Sequence, residues 1–270
     1  MDLGKEFHIN LWDLVTPLAK TLDMMSPAVA EHSLRVAYLA LRLGEEMSLP
    51  AGERGEICIA GALHDIGAFS LDDRLDLLAF EETRPTQHSI AGCLLLENFK
   101  PFSRVASLVK YHHLPWRQGE GRTCNGEPVH TGSHILHLAD RVAVLISKGP
   151  EVLGQVEGIC ATISGRRGEL FAPDCVDAFS RIAGKDYVWL EIASSAMEPV
   201  LRRNLAFQFA EIDTEGLLEL SRLICRIIDF KSEFTATHPR GSAGCSRSPR
   251  SCTTWESSPC PPRSWKNRGN

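Results

Sequence analysis

The sequence lacks an apolar run long enough to cross a bilayer, and its first residues lack the basic and then apolar pattern of a signal peptide. None of its nine cysteines forms a CxxC pair, which argues against a zinc ribbon or a thioredoxin-type site, and nothing demands an oxidising compartment. A net charge of −5 gives no reason to expect stable nucleic-acid binding. We therefore expect a cytoplasmic protein without a membrane partner.

Alternating, β-branched strand patterns are also missing, and apolar residues recur at a helical period instead. In residues 29–47, Val29, Val36 and Leu43 fall on one face of an amphipathic helix. A second apolar helix, RGEICIAGALHDIG, is predicted to stop at Gly67, and HSIAGCLLLENF, SRVASLVKYHH and SHILHLADRVAVLIS have the same character. The sequence therefore predicts an all-α fold, a compact multi-helix bundle.

Three parts are predicted along the chain. Residues 1–200 form the helical domain, and residues 201–238 contain a connector helix that extends from about 204 to 236. Residues 239–270 are rich in Ser, Pro, Arg and Cys, and cannot bury enough apolar surface to offset their ordering entropy. We expect this tail to be disordered, and its abrupt start after FTATH fits either a shifted reading frame or an ordinary disordered tail.

A set of histidines and aspartates lies among the apolar helical residues. His64 and Asp65 are adjacent at the end of one predicted helix, and His112 and His113 at the end of another. Burying such groups is costly unless something compensates them, and a divalent metal compensates both imidazole and carboxylate. A lone histidine or one His-Asp pair is more often an ordinary core or surface feature, so the hypothesis depends on the ordered set. Its members are His32, His64, Asp65, His88, His112, His113 and Asp140.

This ordered set resembles the HD superfamily of metal-dependent phosphohydrolases, and most closely its HD-GYP branch. The matching stretches are EHSLRVAYLA, GALHDIG, the helix that begins at His88, YHH and LADRVAVL. The resemblance implies that His64, Asp65, His112 and Asp140 are ligands of a metal pair bridged by Asp65. The remaining histidines of the set would complete the pair.

The resemblance also implies a reaction, the hydrolysis of a phosphoester in a nucleotide or a cyclic dinucleotide such as cyclic di-GMP. Two divalent ions of iron, manganese or another transition metal, with magnesium as an alternative, would activate a water and neutralise charge on the phosphate. His64 and Asp65 would then be catalytic residues as well as ligands. The expected partner is a small-molecule nucleotide, and a homodimer is left open.

Several positions depart from the branch pattern. Ala68 stands where the branch has the lysine of HDIGK, Leu114 replaces a glutamate after the histidine pair, and no Gly-Tyr-Pro turn follows. The lysine would contact substrate phosphate, so its loss removes a useful positive charge. Ala28, four residues before His32, stands where some relatives have a glutamate for a third metal, which favours two metals.

The loop after the histidine pair, HHLPWRQGEGRTCNG, contains the candidate substrate contacts. Arg117 and Arg122 are candidate replacements for the missing cation, although loop arginines are more often simply solvated. Trp116 is able to stack on a base, but a tryptophan that pins the loop to the helices is the more ordinary role. His134 and His137 share the next predicted helix with Asp140, and His137, three residues before it, is able to approach the site. The preferred interpretation is that both are structural or support the ligands.

The second part of the chain ends in IDFKSEFTATH, residues 228–238. This segment resembles the start of another HD-GYP unit, in which the histidine of KSxFTxxH is the first ligand. By this resemblance His238 would begin a second unit, and residues 26–147 would belong to a degenerate first one.

Three functions remain open at this point. The leading hypothesis is a phosphohydrolase, with cyclic di-GMP as a candidate substrate. The alternative is a metal-binding regulatory module with little or no catalytic activity, which the missing lysine and the altered loop support. A metal-free signalling scaffold similar to HDOD domains is the third, and the intact ligand set argues against it.

Overall fold

The apolar periodicity of the sequence is realised as helices joined by short turns. The computed structural model describes residues 7–23, 31–68, 80, 85–147, 151–206 and 209–235. Within those ranges the helices are α1 (Leu11–Asp23), α2 (His32–Glu46), α3 (Ala51–Leu63), α4 (Pro85–Leu96), α5 (Ser103–Lys110), α6 (Thr131–Leu145), α7 (Val156–Ser164), α8 (Pro173–Ala183), α9 (Asp186–Ile192), α10 (Met197–Asn204) and α11 (Thr214–Thr235). Short 3₁₀ segments lie at Lys100–Phe102, Arg117–Arg122 and Val152–Gln155.

Short strands form two antiparallel pairs in the described part of the chain. The strands are β1 (Phe7–Asn10), β2 (Thr123–Cys124), β3 (Glu127–Pro128) and β4 (Phe209–Ile212). β1 pairs with β4, with Phe7 opposite Ile212, and β2 pairs with β3. The first pair joins the beginning of the chain to the segment that precedes α11.

The predicted all-α bundle is confirmed, but some element ends differ from the prediction. The first amphipathic helix is described from His32, and Val29 and Ala28 lie outside the described residues. The second helix ends at Leu63 rather than Gly67. Its continuation is a turn, in which the backbone N–H of Ile66 donates to the carbonyl of Leu63 at 3.0 Å.

The connector predicted from about 204 to 236 is only partly helical. Residues 209–212 form β4 rather than helix, because a partner strand almost two hundred residues away supplies their hydrogen bonds. α11 follows, with Leu223 and Ile227 buried and the helix in contact with α4. His238 and the predicted tail at 239–270 lie outside the described residues, and the division into three parts stays a prediction.

α2 is the central element of the bundle and is buried over most of its circumference. α3, α6, α8 and α10 all pack against it, which places apolar residues of five helices in one continuous core. Because α2 begins at His32 and α6 contains Asp140, this packing also brings together two residues of the predicted set. None of the described helices has both the length and the apolar character needed to span a membrane.

α2 and α3 approach each other closely at Gly61. A Cβ atom at this position would lie 2.9 Å from the Cα atom of Ala37 and 3.2 Å from the carbonyl carbon of Val36. Real Cβ atoms are essentially never this close to rigid backbone, so any side chain would push the helices apart. Gly52, in the first turn of the same helix, has open space around it.

These two glycines make a matched test of the packing. Gly61→Ala should lower the free energy of unfolding by about 1–3 kcal/mol, because overpacking outweighs the gain in helix propensity. Gly52→Ala should instead raise it by up to about 1 kcal/mol, since only the propensity changes. Urea unfolding of both variants measures the difference. Equal stabilisation by the two substitutions would contradict the tight α2–α3 contact.

Candidate metal centre

The seven predicted histidines and aspartates converge on one place in the bundle, and we call them the His/Asp cluster. His32 is the first residue of α2, and His88 lies in the first turn of α4. Two adjacent pairs lie in the turns that follow α3 and α5, and the last residue lies within α6. All seven are at least 93% buried. The cluster consists of His32, His64, Asp65, His88, His112, His113 and Asp140.

Gly67 allows the turn after α3 to approach α4 closely. A Cβ atom there would lie 2.1 Å from the carbonyl oxygen of His88 and 2.4 Å from the backbone nitrogen of Gly92. No residue other than glycine fits against that backbone. The contact holds the turn that contains His64 and Asp65 against the helix that contains His88.

One half of the cluster is rich in nitrogen. His88 Nε2 lies 2.8 Å from His113 Nε2 and 3.4 Å from His112 Nε2. Asp65 Oδ1 lies 3.5 Å from His88 Nε2. One ligand atom from each of these four residues lies within 4.8 Å of the others. Three imidazoles and one carboxylate suit a transition metal.

The other half combines two imidazoles with two carboxylates. Asp140 Oδ1 lies 3.2 Å from His32 Nε2 and 3.6 Å from His64 Nε2. Asp65 Oδ2 lies 3.2 Å from His64 Nε2 and 3.9 Å from His32 Nε2. The two oxygens of Asp65 therefore point to different halves of the cluster, and this carboxylate lies between them.

Backbone carbonyls at the helix ends orient two of the imidazoles. Nδ1 of His64 lies 2.8 Å from the carbonyl oxygen of Gly61, and Nδ1 of His112 lies 2.6 Å from that of Val109. Carbonyls in the last turn of a helix lack intrahelical partners, so they accept these N–H groups. Each ring then directs its Nε2 lone pair into the cluster, which is the tautomer that metal binding requires.

Two buried atoms of the cluster test whether a metal fits. His64 Nε2 and Asp140 Oδ1 have no hydrogen-bond partner in the part of the chain that the structure describes. Buried polar atoms are normally satisfied, and leaving them unpaired costs free energy. A divalent cation bound by these atoms removes that cost. The cluster is therefore able to hold a metal ion.

The titration of the cluster follows from burial and from the two carboxylates. Burial lowers the pKa of His88 to about 4 and the pKa of His112 and His113 well below their usual range. Burial also disfavours the charged form of His64, but Asp65 and Asp140 outweigh it and raise the pKa of His64 well above its usual value. When no metal ion is bound, the positive charge of protonated His64 offsets the negative charge of Asp65 and Asp140.

Comparison with known protein families supports the identity of this region. A family model for the HD domain matches residues 29–145, which contain the whole cluster. The matched part of the chain is an HD domain. The superfamily that the ordered histidines and aspartates predicted is therefore confirmed.

Curated relatives of this HD protein are bacterial. It is 26% identical over 242 residues to 3'3'-cGAMP-specific phosphodiesterase 1 of Vibrio cholerae, a match that covers 86% of this chain and 56% of that protein. It is 27% identical over 192 residues to a cyclic di-GMP phosphodiesterase of Thermotoga maritima, covering 66% of this chain and 52% of that one. The chain thus spans about half the length of the curated relatives it matches.

A solved structure supports the fold of the HD protein. The crystal structure of a cyclic GMP-AMP specific phosphodiesterase of V. cholerae (V-cGAP3) superposes with a TM-score of 0.64. The match covers 87% of this chain and 63% of that one, at 18% sequence identity. At this identity the likeness establishes a shared fold.

The loop that follows the histidine pair is anchored to the HD bundle. The backbone N–H of Trp116 donates to the carbonyl of Leu170 at 3.0 Å, and the ring of Trp116 meets the ring of His134 edge-on at 5.1 Å. The guanidinium of Arg122, an exposed residue, lies over the Trp116 ring at 5.0 Å. Trp116 therefore pins the loop, and its predicted contact with a base remains untested.

The other predicted substrate residue, Arg117, is tied down through its backbone. Its N–H donates to the carbonyl of Glu169 at 2.7 Å, and its φ of 46° is left-handed. On α6, His134 Nε2 lies 3.1 Å from the carbonyl oxygen of Gly121. His137 hydrogen-bonds the backbone of Leu114. These contacts agree with a structural role for both histidines, which stays a prediction, as does substrate binding by Arg117 and Arg122.

The sequence reasoning missed one residue of the centre, Arg141. Its side chain is 2% exposed, and Nη2 and Nε donate to Asp140 Oδ2 at 2.7 and 3.2 Å. Nη1 donates to the carbonyl of Phe80 at 3.4 Å. The available signal was an arginine directly after a predicted ligand, in an apolar helix where a charge needs a buried partner.

The position of Asp65 predicts the metal content of its variants. Asp65→Ala removes the carboxylate between the two halves of the cluster, so we expect at most one ion in the purified variant and two in the wild type. Elemental analysis of protein purified without chelator measures the ratio. Asp177→Ala, which removes an exposed carboxylate paired with Arg167, is the control and should leave the ratio unchanged. An unchanged ratio in Asp65→Ala would contradict a bridging role.

The raised pKa of His64 predicts that metal and proton compete. Metal binding requires the neutral imidazole, so apparent affinity should rise with pH until the pH exceeds the raised pKa of His64. Binding at neutral pH should release protons, by about one fewer in His64→Ala. Calorimetric titration with manganese in buffers of different ionisation enthalpy counts them. Equal release by the two proteins would show that His64 is not the protonated group.

Proposed function

We propose that this chain is a metal-dependent phosphohydrolase module that acts on a phosphoester of a cyclic dinucleotide. The observation that carries the proposal is the position of Asp65, whose two oxygens face two separate groups of buried ligands. A carboxylate in this position is suited to bridge two metal ions. The relatives named for cyclic dinucleotide phosphodiesterase activity support the substrate class.

Each half of the cluster would hold one ion. Asp65 would contribute Oδ1 to the nitrogen-rich half and Oδ2 to the other, and so set the separation of the two ions. Because five of the seven donors are imidazoles, iron, manganese or another transition metal fits the site better than magnesium. The proposed ligands of the first half are His88, His112 and His113, and those of the second are His32, His64 and Asp140.

The chain's own residues would prepare the reaction in three ways. The carbonyls of Gly61 and Val109 hold two rings in the ligating tautomer. The apolar core excludes bulk water, so electrostatic interactions with a developing phosphate charge are stronger than in solution. When bound, two divalent ions would supply an activated water and neutralise charge on the phosphate oxygens. His64 and Asp65 would contribute as ligands, and no serine or cysteine nucleophile is needed.

A metal-binding regulatory module with little turnover is the alternative, and two observations favour it. Ala68 is 3% exposed and its N–H donates to the carbonyl of Asp65, so this position places no cation beside the centre. The loop from Leu114 onward is held to α6 and to the turn at Leu170 rather than open. Both features concern substrate binding and leave the proposed ligands intact.

The division of the chain into parts belongs to the same proposal. We propose that residues 1–200 form the HD-type domain and that His238 is the first ligand of a second unit. Assembly as a homodimer remains a prediction. The relatives are about twice as long as the matched region, so their complete activities are not transferred to this chain.

Turnover of cyclic dinucleotides should be slow or undetectable even with bound metal. Each lost phosphate contact in a partly dry site removes about 2–4 kcal/mol of transition-state stabilisation, or about a hundredfold or more in rate. The protein is loaded with manganese or ferrous iron, and conversion of cyclic di-GMP and 3'3'-cGAMP to linear products is followed. His64→Ala, prepared in parallel, identifies turnover that depends on the cluster.

The outcomes of this assay separate the two candidate functions. Slow turnover that His64→Ala abolishes supports the phosphohydrolase. No turnover by protein shown to hold two ions supports the regulatory module. Turnover of about one per second, abolished in the variant, would contradict the predicted slow rate. Arg117 and Arg122 would then be the first candidates for the replacement cation.

A further inference from the structure

The two oxygens of Asp140 have different surroundings. Oδ2 accepts two hydrogen bonds from Arg141, at 2.7 and 3.2 Å. Oδ1 has no hydrogen-bond partner among the described residues and lies 3.2 Å from His32 Nε2 and 3.6 Å from His64 Nε2. One oxygen is therefore held by protein, and the other is directed into the cluster.

We infer that Arg141 is a positioning residue that commits Asp140 to bind a metal through Oδ1 alone. The inference rests on the proposed function, because it assigns a role toward the metal of the His32 and His64 half. A guanidinium presents its donors in a rigid fork, and here two of them occupy one carboxylate oxygen. This arrangement opposes rotation of the carboxylate and leaves one lone-pair-bearing oxygen for the ion.

A purely structural ion pair is the competing explanation, and the location of Arg141 argues against it. The side chain is 2% exposed in an apolar core, where a hydrophobic residue of similar volume is often as stabilising as a buried ion pair. The guanidinium is also adjacent to a site suited to divalent cations, which adds repulsion once metal binds. Burial of the charge and repulsion from the metal both disfavour an arginine here. Its effect on the orientation of Asp140 is therefore the better explanation for its presence.

Arg141 also connects Asp140 to the segment between α3 and α4. Its Nη1 donates to the carbonyl of Phe80 at 3.4 Å, so three of its nitrogens are engaged by two different acceptors. Hydrogen bonds to Asp140 and to Phe80 thereby fix the orientation of the guanidinium, as a positioning role requires. Lysine has one nitrogen on a flexible stem and cannot reproduce this geometry.

The test measures manganese binding to the full chain after the metal has been removed and the chelator dialysed away. Free manganese is followed by its electron paramagnetic resonance signal, and the apo proteins are unfolded with urea in parallel. Arg141→Gln removes the charge and the fork, and Arg141→Lys keeps the charge without the fork. Outer-shell substitutions typically weaken metal binding by about 10–100-fold.

Arg42→Gln is the matched control. Arg42 is another arginine held by carboxylates, although it is only partly buried, and it donates to Glu191 at 2.7 Å and to Glu45 at 2.8 Å. It lies on α2 ten residues after His32, or about 15 Å along the helix axis. This variant should lose stability through its broken ion pairs while it binds manganese as the wild type does.

We expect the wild type to bind two ions, and Arg141→Gln to keep one tight site and weaken the other by about 10–100-fold. Arg141→Lys should bind the second ion more weakly than the wild type but less weakly than Arg141→Gln. If Arg141→Gln does not fold, the comparison of Arg141→Lys with the wild type still tests the inference. Wild-type affinity or tighter binding in both Arg141 variants would overturn the inference and leave the proposed function standing. A wild type that binds no metal would overturn the proposed function and this inference together.

Discussion

Two carboxylates and five imidazoles lie in an apolar core, and the free-energy cost of burying them constrains the rest of the structure. Each of these groups is at least 93% buried, and water is not available to solvate them. Hydrogen bonds to Gly61, Val109 and Arg141 satisfy some of the atoms. His64 Nε2 and Asp140 Oδ1 have no such hydrogen bond among the described residues. A bound cation would satisfy both atoms, so the cost of burying the cluster favours metal binding.

Helix ends are the structural device that makes this cluster feasible. His64 and His112 follow the last residues of α3 and α5, where backbone carbonyls have no intrahelical partner. Those carbonyls orient the rings, and the glycine at position 67 lets the turn after α3 meet α4. Short helices that stop beside one another can therefore bring several ligands to one point, which one long helix cannot do.

The cluster and the positions predicted to contact substrate differ in how far they match the HD-GYP pattern. All seven residues of the cluster are present, and their geometry is supported by buried hydrogen bonds from Arg141 and to the backbone. By contrast, Ala68 is small and buried, and Trp116 packs on His134. The cluster and the positions predicted to contact phosphate are formed by different side chains, so a change at those positions leaves the cluster in place. This separation is what makes a metal-binding module with weak catalysis physically reasonable.

The sequence by itself determined the fold class, the approximate helices and the seven members of the cluster, because apolar periodicity and residue order are local features. It did not determine that helix α3 ends before His64, since that end is set by contacts of the following turn with α4. β4 was missed because β1, its partner, is remote in sequence. Arg141 was missed because only the packing of α6 shows which carboxylate oxygen it holds. Tertiary structure alone decided how Asp65 and Asp140 divide their oxygens, because those directions come from the packing of separate helices.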